Sequence, residues 1–261
     1  MSDREFDPKL TWNSSRDDVI NEFYKPALAN CELYQRLSGY FSSSTFANVA
    51  NEILDFIESN GQIQLITSPQ LSQTDKELFE QSVLEGEKIL SEIFLKDLKN
   101  DPDGLKLQFT KLMAYMLTNK IDGNPQLEIK IAVPTSGVGI YHQKIGILLY
   151  KNGERIAFSG SVNETGMGWH ENIENFNVFR SWGDDTNSQG VVDSQRDFND
   201  LWYNNNEDVK IFELPKAVKE HMLKIRPESD KEIQATIQKV RELLDNKTID
   251  ILEPEILEKT K

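Results

Sequence analysis

Apolar and polar positions along the chain alternate between two rhythms. From Ser15 to about Ala29 apolar residues recur at helical spacing, with Asp17 and Asp18 in the first turn, where acids face the positive end of the helix dipole. "CELYQRLSGYF" (31–41) then reads as a strand. Phe46, Val49, Ala50, Ile53, Leu54 and Ile57 return to helical spacing, and Gly61 ends that helix. "QIQLIT" (62–67) is a short strand, so residues 33–67 predict a β-α-β unit and a parallel strand pair. Residues 74–121 are mostly helical, with a break around "NDPDG" (100–104). Strands follow at 127–134, 173–182 and 209–214, with a helix at 193–204 and two charged amphipathic helices over 215–246, split near Pro227. This order predicts an α/β fold with a mixed central β-sheet flanked by helices. The expected organisation is a flexible N-terminal tail (1–14), one domain over 15–214, and a helical C-terminal extension over 215–261.

The pattern between residues 141 and 165, "YHQKIGILLYKNGERIAFSGSVNET", predicts a β-hairpin around Asn152-Gly153. A two-residue type I′ turn there pairs Lys151 with Glu154. Counting back, Leu148 faces Ala157, Lys144 faces Ser161 and His142 faces Asn163. The alternate face then carries Ile145, Ile147, Leu149, Ile156 and Phe158. His142, Lys144, Ser161 and Asn163 form one polar patch of donors and positive charge, which matches the non-bridging oxygens of a phosphate. Histidine adds a group able to attack phosphorus or carry a proton near neutral pH. The plainer reading of the same residues is the polar end of a half-exposed hairpin.

Composition narrows the field. The 261 residues are 38% hydrophobic, enough for one sizeable core or two small ones. The single cysteine, Cys31, excludes an internal disulfide and fits a reducing compartment. No run of about 18 apolar residues is present, and the N-terminal stretch lacks an apolar leader segment, so the expectation is a cytoplasmic protein without a membrane partner. A net charge of −14 argues against broad electrostatic attachment to nucleic acid and leaves room only for a local basic cleft. No phosphate-binding loop of the G-x-x-x-x-G-K-[ST] type occurs, so any ATP use belongs to another chain or region.

"SGYFSSSTF", "LITSP", "HQKIGIL", "FSGSVNETGMGW" and "ENFNVFRSW" follow one another over roughly residues 30–215. In this order the five segments resemble the phospholipase D superfamily, nuclease branch, in particular the domains found in bacterial helicase-like and restriction-associated proteins. "HQK" (142–144) is similar to the family's H-x-K and "GSVN" (160–163) to its G-S-x-N.

The resemblance implies a metal-independent phosphodiesterase with no cofactor, acting on DNA in restriction or anti-phage defence. His142 is then the nucleophile or its acid partner. Lys144 and Asn163 hold the phosphate, and Glu174 orients and charges the histidine ring. Ser161, with Gly160 and Ser159, lines the substrate site. The family's aspartate after the lysine is replaced by Leu149. The chain has one H-x-K where the chemistry uses two, so a homodimer with the cleft on its two-fold axis is implied. His170 and His221 lie outside such a context. Two alternatives stay open: a non-catalytic nucleic-acid-sensing or dimerisation module of a helicase-type defence complex with an ATPase partner, and a phospholipase or phosphatidyltransferase, disfavoured by the acidic composition.

Overall fold

The computed structural model describes residues 6–38, 50–68, 83–99, 104–135, 143–160 and 175–258. Its centre is a sheet of eight strands: β1 (Thr11–Asn13), β2 (Cys31–Ser38), β3 (Gln62–Thr67), β6 (Leu127–Pro134), β7 (Ile145–Tyr150), β8 (Arg155–Gly160), β9 (Asn175–Arg180) and β10 (Val209–Glu213). Their spatial order is β1-β9-β8-β7-β2-β3-β6-β10. β2, β3 and β6 are parallel, and the remaining pairs are antiparallel. The fold is therefore the mixed α/β class expected, and the β-α-β unit is present as β2, α2 (Ala50–Glu58) and β3.

Both faces of the sheet are buried, which explains why its central strands are apolar at successive positions rather than alternating. One face carries Tyr34, Ile63, Leu65, Ile129, Leu148, Ile156, Phe158 and Phe176. It packs under α1 (Lys25–Ala29), α2, α3 (Val83–Lys99), α4 (Leu105–Met116), α6 (Lys216–Leu223) and α7 (Asp230–Glu258). The other face carries Leu37, Ile66, Ala132, Ile145, Ile147 and Ala157. It meets Val191, Phe198, Leu201 and Trp202 of α5 (Asp185–Trp202). Val218, Met222, Ile233, Ile237 and Val240 belong to the larger core, so the start of the helical C-terminal segment packs on the sheet's helical layer.

Four expectations are corrected. Residues 6–14, expected as part of a flexible tail, include edge strand β1 paired with β9, and Trp12 packs beside Phe23 and Phe176. The helix expected from Ser15 begins only at Ile20, as one π-helical turn (Ile20–Tyr24) running into α1. The cause is local: the Asp17 carboxylate accepts from the Asn13 amide and the Lys9 ammonium, each at 2.7 Å, and so closes the preceding loop. The helix expected over 193–204 is longer at its N-terminus, because the Asp184 carboxylate caps it by accepting from the Asn187 amide at 2.9 Å. Finally, "KIDGNP", expected near the end of a helical region, folds as a small hairpin of β4 (Lys120–Ile121) and β5 (Asn124–Pro125). Asp122 and Gly123 both take positive φ, 50° and 88°, as a type I′ turn requires.

Candidate functional site

The β7–β8 hairpin is present, but its register differs by one residue from expectation. Ile145 pairs with Ser159, Gly146 with Phe158, Ile147 with Ala157, Leu148 with Ile156 and Leu149 with Arg155. Leu148 therefore faces Ile156, not Ala157. The turn explains the shift. The Tyr150 amide donates to the Glu154 carbonyl at 3.0 Å, and the Gly153 amide donates to the Tyr150 carbonyl at 2.9 Å. The loop thus has three residues, Lys151 to Gly153, with only Gly153 left-handed at φ 82°. Asn152 is spent differently, its side-chain oxygen accepting from the Glu154 amide at 2.9 Å. This is the three-residue hairpin built on a type I turn and a left-handed glycine.

The shift changes which residues meet. Lys144 stands opposite Gly160, whose amide donates to the Lys144 carbonyl at 3.4 Å. The expected partner of Lys144, Ser161, lies outside the described residues, as do His142, Asn163 and Glu174. Ser159 pairs with Ile145 and Asn177, which puts it on the face opposite Lys144. The apolar set also divides. Ile145 and Ile147 lie with Ala157 against α5, while Leu148, Ile156 and Phe158 lie in the larger core.

Lys144 is 6% exposed. It sits just before β7, and β7 runs antiparallel to β2. Continuing the β2–β7 pairing beyond Leu37↔Ile145 puts Ser38 opposite Lys144, and Ser38 pairs in turn with Thr67. A transverse row Gly160–Lys144–Ser38–Thr67 therefore crosses the sheet at the carboxyl ends of β2 and β3. That edge is where parallel α/β sheets place ligands. Gln143, Gly160 and Asn175, the described neighbours of His142, Ser161 and Glu174, stand at the same edge. The Thr67 and Ser68 hydroxyls are buried there and have no hydrogen-bond partner among the described residues.

Gly160 has a packing reason of its own. A Cβ added to it would lie 2.2 Å from the Asn175 carbonyl oxygen and 2.6 Å from the Phe176 Cα, so only glycine lets β9 approach β8 this closely. One row inward, a Cβ on Gly146 would lie 2.1 Å from the Phe158 ring. The space a side chain would fill is taken by Phe158, whose ring packs against Phe23, Tyr24 and Phe176 at centroid distances of 5.3, 5.6 and 5.8 Å. Lys144 is thus carried on a strand backed by interlocked aromatic rings.

Sequence reasoning missed Arg36. This β2 residue pairs with Gly146, is fully buried, and holds its guanidinium carbon 5.4 Å from the centre of the Phe158 ring. Its signal in the sequence is an arginine in the middle of the strand segment "CELYQRLSGYF".

A cleft of about 1090 Å³ opens at the opposite end of the strands, between Cys31, Glu32, Asn60, Lys151, Glu154 and Trp182. Its charges are mixed, and it lies away from Lys144. Among the described residues no group of three His, Cys, Asp or Glu side chains is placed to hold a metal ion, and no helix is long and apolar enough to cross a membrane.

No family model and no curated protein matches the sequence. The chain is similar in structure to NucT from Helicobacter pylori, at 15% identity and a TM-score of 0.41, over 77% of this chain and 99% of that one. It is similar to Nuc from Salmonella typhimurium, a phospholipase D family member, at 10% identity and 0.41, over 78% and 96%. A third similarity is to phosphatidylserine synthase from Haemophilus influenzae, at 11% identity and 0.40, over 87% and 45%. This chain is a mixed α/β protein with a buried lysine, Lys144, set against Gly160 at the carboxyl edge of its parallel strands.

Proposed function

We propose that the chain is a metal-independent phosphodiesterase that cleaves DNA through a histidine nucleophile, as a homodimer in restriction or anti-phage defence. The observation that carries this reading is the ordered set "HQK", "GSVN" and "IENFNVF", together with the burial of Lys144 at a sheet edge flanked by the neighbours of the other three residues. A lysine stripped of water is a poor surface solubiliser and a strong partner for an anion that enters with it.

In this reading a ring nitrogen of His142 attacks phosphorus and forms a P–N bond as the P–O bond to the leaving group breaks. The leaving oxygen takes a proton from His142 of the second copy. Water then attacks the phosphohistidine, giving up a proton to that second histidine and releasing the first. Lys144 and Asn163 balance charge on the phosphoryl oxygens, and Glu174 orients the ring and stabilises its cation. Gly160 acts through packing, and Ser159, on the far face, is no part of the row that holds Lys144. The acidic composition favours delivery of the substrate by a partner, such as a helicase, over long-range attraction.

The test is to quench a reaction with a single-stranded oligonucleotide labelled with ³²P at an internal phosphate and look for an acid-labile, base-stable label on the protein. Label on His142, absent from His142→Ala, supports the reading. Turnover with no such adduct under rapid quench, and with His142→Ala equally active, overturns it.

A further inference from the structure

On the face of the sheet that carries Lys144, strand β3 places Ile63, Leu65 and Thr67 in succession, each no more than 2% exposed. The first two are core residues, and the third puts a hydroxyl in equally dry surroundings. That hydroxyl has no hydrogen-bond partner among the described residues. Thr67 stands in the row Gly160–Lys144–Ser38–Thr67, with Ile131 of β6 beyond it. Paired residues share a face, so Thr67, Ser38 and Lys144 lie side by side at the carboxyl edge. Valine has the shape of threonine and would fill the position without an orphaned donor. A buried hydroxyl that has lost water and gained no partner destabilises the folded chain, and such groups are rare enough to call for a cause. The neighbouring Ser68 hydroxyl, just past the end of β3, is buried and unpartnered in the same way.

From this arrangement we propose that Thr67 is a further substrate-binding residue of the phosphate site. Its hydroxyl donates a hydrogen bond to a non-bridging oxygen of the phosphodiester held by Lys144. The inference rests on the phosphodiesterase reading and adds a residue to it. Two strand spacings, about 9–10 Å, separate the Lys144 and Thr67 backbones. The lysine side chain and a phosphoryl group with a hydrogen bond of about 3 Å on either side are together long enough to span that gap. The hydroxyl gives up no protein partner to make the new bond, so the full gain of that bond goes to binding. A β-branched side chain on a strand has few rotamers, so little ordering is needed when the phosphate arrives. The donor is neutral, and its effect is to fix the orientation of the phosphoryl group rather than to attract it from a distance.

The experiment measures inorganic phosphate binding by titration calorimetry, DNA cleavage by steady-state kinetics and thermal melting, for the full chain and for Thr67→Val and Thr67→Ser. Valine removes the hydroxyl and keeps the shape, whereas serine keeps the hydroxyl and removes the methyl. Thr67→Val is expected to melt at the same temperature or higher, because it deletes an unpartnered buried donor. Its phosphate affinity and kcat/KM should both fall by about tenfold. Thr67→Ser should do the reverse, melting lower while holding phosphate affinity to within about threefold. Unchanged phosphate affinity and kcat/KM in Thr67→Val overturn the inference. So does a lower melting temperature or a failure to fold in Thr67→Val, since a hydroxyl that the fold depends on has its partner inside the protein. If His142→Ala cleaves DNA normally, or the unaltered protein neither binds phosphate nor cleaves, the phosphodiesterase reading itself fails. A silent Thr67→Val in a protein that His142→Ala inactivates removes Thr67 alone and leaves that reading standing.

Discussion

Lys144 and Gly160 stand opposite one another across the β7–β8 hairpin, the Gly160 amide donating to the Lys144 carbonyl at 3.4 Å. One residue is a buried cation, and the other is a glycine that β9 crosses at less than van der Waals distance from any added Cβ. The strand that presents the charge and the strand that anchors it are therefore held by different means, and the two can be tested apart.

Gly160→Ala is expected to destabilise the fold by about 1–3 kcal/mol, because the atoms its methyl would meet are backbone and cannot rotate away. Urea unfolding of the two proteins checks this. Equal midpoints would mean that β8 and β9 separate easily.

Replacing Lys144 separates stability from chemistry. Lys144→Met removes the buried ammonium while keeping much of the side-chain volume, and its urea unfolding midpoint reads how much of the lysine's role is structural. Cleavage should fall by about 100-fold or more, since the charge acts on the developing phosphoryl oxygens. An active Lys144→Met protein removes the lysine from the site.

The three-residue turn makes its own forecast. Gly153→Ala forces a side chain into the left-handed region and should cost about 1–2 kcal/mol. Asn152→Gly removes the bond to the Glu154 amide at a position without positive φ, and should cost about 1 kcal/mol. In a type I′ turn the same change would be neutral or stabilising, so the sign of the Asn152→Gly effect on unfolding decides between the two turns.

Cys31 should be inert while the protein is folded. Burial, partly offset by backbone hydrogen bonds, pushes its thiol up to about 12. The unfolded thiol ionises near 9, so between these values the native state holds the proton and the unfolded state does not. The contribution is constant below pH 9, and stability falls as pH rises from about 9 toward 12. Thiol-exchange reagent should react at neutral pH only as fast as the protein unfolds. Prompt reaction of the native protein would show that β2 opens at its N-terminal end.

Much of the fold was legible because the sheet's hydrophobic runs and the helical periods are long. Strand β6, "LEIKIAVP", came out to its ends. What misled was chemistry confined to a few atoms. Asn152-Gly153 and Asp122-Gly123 carry the same turn signal, yet only the second adopts the type I′ conformation. In the first, the Asn152 side chain binds the Glu154 amide and a third residue enters the loop. That one added residue moved every pair in the hairpin by one and traded Ser161 for Gly160 opposite Lys144. Edge strand β1 was missed because three residues are too few to show a period; they are held by Trp12 and by pairing with distant β9. Arg36 was missed because its neighbours, Gly146 and Phe158, are more than 100 residues away in sequence. The motif residues His142, Ser161, Asn163 and Glu174 were legible as a pattern, and they lie outside the described residues.

DNA cleavage in excess chelator, measured side by side for the full chain and for His142→Ala, separates histidine chemistry from metal chemistry. Cleavage by the unaltered protein is expected to persist in chelator, and His142→Ala is expected to have none. Cleavage that chelator abolishes, magnesium restores and His142→Ala leaves intact would contradict the histidine mechanism.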